Sequence, residues 1–323
     1  MRASSIFERQ NEPEALGLAK AFRRRYAVAR RWRQLRVGVG LMIGTVGVLL
    51  ALLEPSTEQY VSAIAAAWLV FGRTVLDGYE QRQRRCGAVA QELFDTLVFE
   101  LPWNSSAVGA RPAPEDVRNW ARRQSEECLH DWYADTRPAR HPVDVLLCQR
   151  SIITWARQDH NTYAHLLRWA AGIAFMASMV IGVALGLSLS EYLLRLGVPV
   201  LPACLDVLDI AKANAQVART KSQLERRADA LMARAGASAT APKIVECREL
   251  QDGIYATRLL PGVPNWMYAI TRRERQQNME ETVGRQVSAL PPALLQDARV
   301  SASSSGDDQN RCACAAVDPG ETL

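Results

Sequence analysis

Apolar residues gather in four runs separated by arginine-rich, polar sequence. The first, Val37 to Leu53, contains no charge. The second, Tyr60 to Leu76, is interrupted only by Arg73 near its end, and the third, Trp169 to Leu189, is again uncharged. The fourth, Tyr192 to Ile210, carries Arg195, Asp206 and Asp209 together with Pro199 and Pro202. A helix that crosses the hydrocarbon core of a bilayer needs roughly 17–25 apolar residues. The third run meets this fully and the first two sit at its lower limit. The fourth spans only if its charges lie near the interfaces and neighbouring helices satisfy its prolines; a buried core helix is the other reading.

The runs come in pairs. Only the segment EPSTEQ separates the first two, and only Ser190 and Glu191 the last two, so each pair predicts an antiparallel hairpin. Lys20, Arg23, Arg24, Arg25, Arg30, Arg31, Arg33 and Arg36 precede the first run with no acid among them. Arg82, Arg84 and Arg85 follow the second, Arg157 and Arg168 precede the third, and Lys212, Arg219, Lys221, Arg226 and Arg227 follow the fourth. The tight connections hold only Glu54, Glu58 and Glu191. Lysine and arginine stay on the cytoplasmic side, which places both termini and the middle segment in the cytoplasm. The long basic stretch before the first run, with no small-residue cleavage site after it, argues against a signal peptide.

The expected fold class is therefore an all-α integral membrane protein, two antiparallel transmembrane helical hairpins with a helical cytoplasmic module. Its segments are a basic arm (1–36), a first hairpin (37–77), a cytoplasmic helical segment (78–168), a second hairpin (169–210), a C-terminal helical segment (211–289) and a disordered tail (290–323). Composition alone hides this. With 323 residues, a net charge of +5 and 48% hydrophobic residues, and a mean hydropathy of -0.12, the chain resembles a soluble globular protein on average. The 7 cysteines, odd in number and without framework spacing, exclude a disulfide scaffold.

Lipid gives helices no hydrophobic reason to associate, so small residues that admit close backbone approach matter. The third run has Ala170, Ala174, Ser178, Gly182 and Gly186 at a constant spacing of four, and the first has Gly40 and Gly44, with Gly47 a turn on. These stripes fit packing within one bundle or between protomers. Arg73, Arg195 and Asp206 lie toward helix ends, as interfacial anchors that snorkel or as the lining of an aqueous path.

Outside the runs, Val89, Leu93, Leu97 and Leu101 predict a helix ended by Pro102, and Asn104 to Ala113 a loop. A helix starts at Pro114, its stripe of Val117, Trp120, Ala121, Cys128 and Trp132 continuing to RPARHP. From Val143 a helix runs into the third membrane run. Ala211 to Ala235 reads as a charged helix with Val217, Leu224 and Leu231 at heptad spacing and a stop at Gly236. A short segment containing turns follows, leading into a charged helix; Cys312 and Cys314 lie in the tail.

Catalytic signals are absent. Cys128, His130, His141, Cys148, His160 and His165 have no zinc-ligand spacing. No P-loop, nucleophile elbow or carboxylate pair stands out, and the glycines of GVGLMIGTVG sit in an uncharged membrane run. The reading is not an enzyme, with no cofactor and no metal.

Four blocks occur in order around the two hairpins: SIFERQNEPEALGLAKAFRRRYAVAR, FDTLVFELPWN, CQRSIITWARQDHNTYAHLLRW and RLLPGVPNWMYAITRRE. Together, over roughly residues 5 to 285, they resemble the SMODS-associating four-transmembrane effector family. An Asn and an Asp common in that family are here Ile153 and Ala156, a departure that weakens any role for that patch. The resemblance implies a bacterial anti-phage effector of the inner membrane, a pore-forming homo-oligomer activated by a cyclic oligonucleotide and binding no nucleic acid polymer. Guanidinium forks for phosphate and aromatic faces for bases then point to Arg150, Trp155, Arg157 and Tyr163, and to Arg258, Trp266, Tyr268, Arg272 and Arg273. Against this stands a structural reading, in which the tryptophans fill a small core and the arginines face water or lipid. A non-conducting membrane scaffold and an ordinary small channel or transporter are the rival functions.

Overall fold

The computed structural model describes residues 5–122, 124, 129–264, 267 and 281–296. Helix α1 (Ile6–Arg9) opens on a capping box, in which Ser5 Oγ accepts from Glu8 N–H and Glu8 returns a carboxylate to Ser5 N–H. Helix α2 (Pro13–Leu53) starts with proline in its first turn and runs 41 residues without a break. Helix α3 (Glu58–Phe71), a π-helical turn (Gly72–Leu76) and helix α4 (Asp77–Val98) form one continuous rod. Two short helices, α5 (Ser105–Val108) and α6 (Pro114–Ala121), lead to α7 (Val143–Ala184), of 42 residues. Helix α8 (Leu189–Tyr192), a second π turn (Leu193–Gly197) and α9 (Val198–Ser238) make the fourth rod, and α10 (Ile244–Arg258) follows. Among the described residues there is no strand, only an isolated bridge between Ala139 and Leu295.

The lengths carry the architecture. A helix of 41 or 42 residues is about 60 Å long, twice the roughly 30 Å hydrocarbon core. Each rod therefore has a membrane half and an extramembrane half, and the boundaries predicted at 77–78, 168–169 and 210–211 fall inside continuous helices. Three helices are long and apolar enough to cross a membrane by length and composition: Pro13–Leu50, Glu58–Val98 and Val143–Ala184. The fourth rod is not among them. Its carboxylate Asp206 and its two prolines are accommodated by enclosure, since Pro199, Pro202, Ala203, Asp206 and Ile210 are all buried between other helices, while Asp209 is exposed.

The glycines of the first run make that enclosure possible. A Cβ on Gly40 would lie 3.6 Å from the Ala203 backbone, and one on Gly44 3.5 Å from Pro199 O and Val200 Cα. One on Gly47 would meet Val61 Cγ1 at 2.7 Å. So α2 approaches α9 backbone to backbone and grips α3 near its tip. The second hairpin is built differently. Ala170 and Ala174 are exposed, Gly182 lies beneath the Tyr192 ring and Ser178 hydrogen-bonds Tyr192 OH at 3.0 Å. Gly186, at φ 64°, ends α7: its N–H reaches Val183 O and Leu187 N–H reaches Gly182 O, the two bonds of a Schellman cap.

Ion pairs join the hairpins at both ends. Near the tips Arg195 meets Glu58 at 2.8 Å, and at the base Arg73 meets Asp209 at 2.6 Å. Glu58 and Arg73 are about 22 Å apart along the helix at 1.5 Å per residue, so the pairs bracket most of the apolar slab. Between them Ser62 Oγ donates to Leu194 O.

In the extramembrane half, Phe22, Phe94, Phe99, Leu146 and Leu250 form one core. Val117, Trp120 and Ala121 of α6 pack against its side, but α6 stops at Ala121 and Trp132 reaches the core from a loop, its ring 5.0 Å from that of Phe22. Cys128 lies outside the described residues. The segment after residue 243, expected to contain turns, begins as the 15-residue α10; Gly253 there allows a close approach to Leu224. Val217, Leu224 and Leu231 do lie along the packed face of α9, but within one chain. Residues 290–296, expected to begin the tail, pack instead: Leu290 and Leu294 are buried against Ala139 and Val143, and Arg140 N–H donates to Leu294 O. Cys312 and Cys314 lie outside the described residues.

Replacing Gly44 by Leu should lower the melting temperature of the detergent-solubilised protein, since overpacking costs about 1–3 kcal/mol. Gly38→Leu, at a position where a Cβ meets nothing within 4 Å, should leave it unchanged.

Candidate functional site

The polar groups concentrate where the rods leave the apolar slab. Arg36, one residue before the first run, is buried, yet its guanidinium meets three acids from two other rods: Asp77 at 2.5 Å, Glu80 at 3.5 Å and Asp206 at 3.5 Å. Glu80, only 2% exposed, also pairs with Arg84, which in turn donates to Leu259 O. One turn from Arg36, Arg33 donates to Gly262 O at 3.0 Å. Burial pulls the Arg33 guanidinium below its ordinary pKa, opposed by Glu80 and Tyr163.

Local structure explains the convergence. In the π turn Asp77 N–H bonds Gly72 O, five residues back, and an inserted residue rotates everything after it by about 100°. Asp77, Glu80 and Arg84, at spacings of three and four, then share the face turned to α2. Gly72 leaves room for the Arg36 stem, whose Cγ would lie 3.3 Å from an added Cβ.

Beside this cluster lies a cavity of about 760 Å³. Arg36, Arg73, Arg82, Arg84 and Arg85 line it, opposed by Asp77, Asp206 and Asp209. Leu259, Leu260 and Pro261 form an apolar wall. The volume falls within the span of about 300–1,000 Å³ common for small-molecule sites.

A second polar network sits inside the extramembrane core. Asp95 accepts from Tyr133 OH and from Gln251, and meets Arg258 at 2.7 Å. Glu92 pairs with Arg248 at 2.5 Å and accepts from Gln251. Both carboxylates have no exposed surface; burial raises the Glu92 pKa, and the Asp95 charge raises it further. The opposite charges of Glu92 and Asp95 with Arg248 and Arg258 answer one another inside the core, so the network reads as architecture.

On α9, Lys221 continues the inward face of Val217, Leu224, Ala228 and Leu231 and is 5% exposed. It makes no hydrogen bond or ion pair among the described residues, and burial, with Arg258 adding to it, pulls its amine to a pKa of about 7. Nearby His160 shares a 2.7 Å hydrogen bond with Asn214 and is held at a pKa of about 4, chiefly by burial.

The residues singled out from sequence fall in different places. Arg150 meets Asp229 at 2.6 Å and Arg157 meets Glu225 at 2.7 Å, so both stitch α7 to α9, with Trp155 half-buried on the same helix. Tyr163 is half-buried and interacts electrostatically with Arg33. Arg258 is in the Asp95–Glu92 network. Trp266, Tyr268, Arg272 and Arg273 lie outside the described residues. Arg73, Arg195 and Asp206 are all ion-paired between rods. Sequence reasoning missed Arg33, Arg36, Asp77, Glu80 and Arg84 as a cluster, having read the arginines as orientation signals. Their i, i+3 and i+4 spacing on facing arms of one hairpin was the available clue. Among the described residues no group of three or more His, Cys, Asp or Glu side chains is placed to hold a metal ion.

This is the class of integral membrane proteins in which a few helical rods serve both as lipid-spanning hairpins and as the frame of an extramembrane module. The chain belongs to the SMODS-associating 4TM effector domain family, which it matches over residues 4–285. It is 23% identical over 288 residues to a Bacillus cereus (strain VD146) protein named as a probable CBASS effector molecule, an alignment covering 85% of this chain and 95% of that one. No solved structure matches it.

Asp95→Ala should destabilise the protein by about 3–5 kcal/mol, because it strips a buried guanidinium of its nearest counter-charge. Pairing it with Arg258→Met should recover much of the loss in melting temperature. Lys221 predicts a pH dependence. Its folded-state amine is neutral above pH about 7, whereas the unfolded chain keeps the proton up to its ordinary value of 10.5, so its contribution to stability falls as pH drops from 10.5 to 7 and is level below that. Lys221→Met should therefore raise the melting temperature most at pH 7 and below, with the gain shrinking toward pH 10.

Proposed function

We propose that the chain is an effector of bacterial anti-phage defence, one that makes the membrane leaky when its cytoplasmic module binds a cyclic oligonucleotide. Membership of the effector family and the likeness to a Bacillus cereus protein named as a probable CBASS effector support the defence role. The observation that carries the mechanism is the continuity of the rods. The α2, α3–α4, α7 and α8–α9 helices all pass from the extramembrane core into the apolar slab without a flexible joint. A shift in how they pack at one end is transmitted to the other, since a packed interior does not deform smoothly.

In this reading the extramembrane half faces the cytoplasm of a cell whose inner membrane holds the hairpins, in keeping with the basic residues at the base and the acids Glu54, Glu58 and Glu191 at the tips. Arg150, Arg157 and Tyr163 belong to the messenger-responsive region, the two arginines through the α7–α9 seam and Tyr163 through its place on the same helix. Several protomers assemble in the open state, the lipid-exposed face of α7 offering itself to neighbours. Water-lined passage follows from separating rods whose facing surfaces carry Arg73, Asp206 and Asp209.

Liposomes loaded with a self-quenched dye and carrying the purified full chain should leak on addition of one of a panel of cyclic di- and trinucleotides, and stay sealed without it. Inserted protein that leaves vesicles tight under every ligand would favour a non-conducting scaffold. Steady selective flux without ligand would favour a channel.

A further inference from the structure

We propose that the cavity at the base of the hairpins binds a phosphodiester anion through Arg82 and Arg85, and that this anion competes with Asp209 for Arg73. Five arginines line the cavity against three aspartates. The aspartates are already answered, Asp77 and Asp206 by Arg36 and Asp209 by Arg73, while Arg84 is held by Glu80. Arg82 and Arg85 are exposed and have no ion pair or hydrogen bond among the described residues. They stand three apart on α4, so they are neighbours on one helix face, where like charges repel. An anion bridging them removes that repulsion and meets two planar guanidinium forks suited to phosphate oxygens.

The rest of the cavity favours a ligand with more than phosphate. Leu259, Leu260, Pro261 and Ile210 supply an apolar side against which a ring or chain can lie. Phosphodiesters with such an appendage come from two sources at this depth: a nucleotide from solution and the headgroup of an anionic lipid. The nucleotide source rests on the function proposed above; the site itself does not. The consequence for the membrane half is specific. Arg73 and Asp209 are 40% and 53% exposed in their side chains, so the base clamp is the one a ligand can reach. Drawing Arg73 into the cavity opens that clamp while Arg195 and Glu58 keep the tips joined.

The test uses the full chain in nanodiscs. Fluorescein-labelled cyclic dinucleotides and trinucleotides are titrated in phosphatidylcholine discs, and phosphatidylglycerol is titrated into the discs separately, with intrinsic tryptophan emission as readout. The Arg82→Ala/Arg85→Ala double variant alters only exposed side chains, and an unchanged melting temperature verifies its fold. It should weaken binding by about tenfold or more, as expected for losing hydrogen bonds to a charged group, while Arg82→Lys/Arg85→Lys retains part of the affinity. Asp209→Asn, which removes the competitor, should tighten it. Loss confined to the nucleotide arm identifies a messenger as occupant; loss confined to the phosphatidylglycerol arm identifies lipid. Unchanged binding of both by the double variant, or no binding of either by the wild type, overturns the proposal. Wild-type protein that binds nucleotide in discs yet never makes dye-loaded liposomes leak would instead overturn the proposed function and leave the site standing.

Discussion

A guanidinium at the depth where water gives way to lipid has to bring its counter-charges with it. Arg36 occupies that depth, and the fold is arranged so that Asp77, Glu80 and Asp206 arrive from two other rods to meet it. Removing one member of such a buried set is expensive because it leaves the others uncompensated, whereas the intact set is worth little by itself. What the cluster contributes is registry. It fixes where along α2 the α3–α4 rod and the α9 rod sit, and with them the level of the glycines that let α9 approach α2 and of the ion pairs at either end of the α3–α9 contact.

The cost of the arrangement falls on α9, which must carry Asp206 and two prolines through the membrane half. It does so from an enclosed position against α2 and α3, where its unsatisfied backbone and its carboxylate face protein instead of lipid. The opposite holds for α7. Its membrane half touches the remaining helices near the tip, through Gly182 and Ser178 against Tyr192, and its other surfaces are apolar and open. One hairpin is thus built into a three-helix cluster, and the other is half attached. The same α7 helix is firmly stitched to α9 in the extramembrane half by Arg150 and Arg157, an asymmetry suited to a rod whose two ends do different work.

Much of this was legible in the chain. The four apolar runs, their pairing, the direct passage of α7 from Val143 into the third run and the all-helical class follow from hydropathy and connection length, which are local properties. The small-residue stripes were visible too, but their uses were not. The stripe of the first run is a packing surface, whereas in the third run Gly186 serves as a helix cap and Ala174 faces outward. Spacing of four describes a face without saying what lies opposite it. Lys221 likewise shows in sequence as one basic residue among several; only its neighbours make it a buried amine. The tail was misjudged at its start because Leu290 and Leu294 are few and widely set, and their burial depends on a surface formed by Ala139 and Val143 far away in the chain.

By itself, the sequence determined that long helices form, that they cross lipid in pairs and which ends carry positive charge, because each of these rests on free energies summed over neighbouring residues. Only the tertiary structure decided which arginines are anchors, which are answered by acids and which two remain exposed beside a cavity without a counter-ion among the described residues. A charge's role is set by what lies within a few ångströms of it, and here those neighbours come from positions 41 to 170 residues apart.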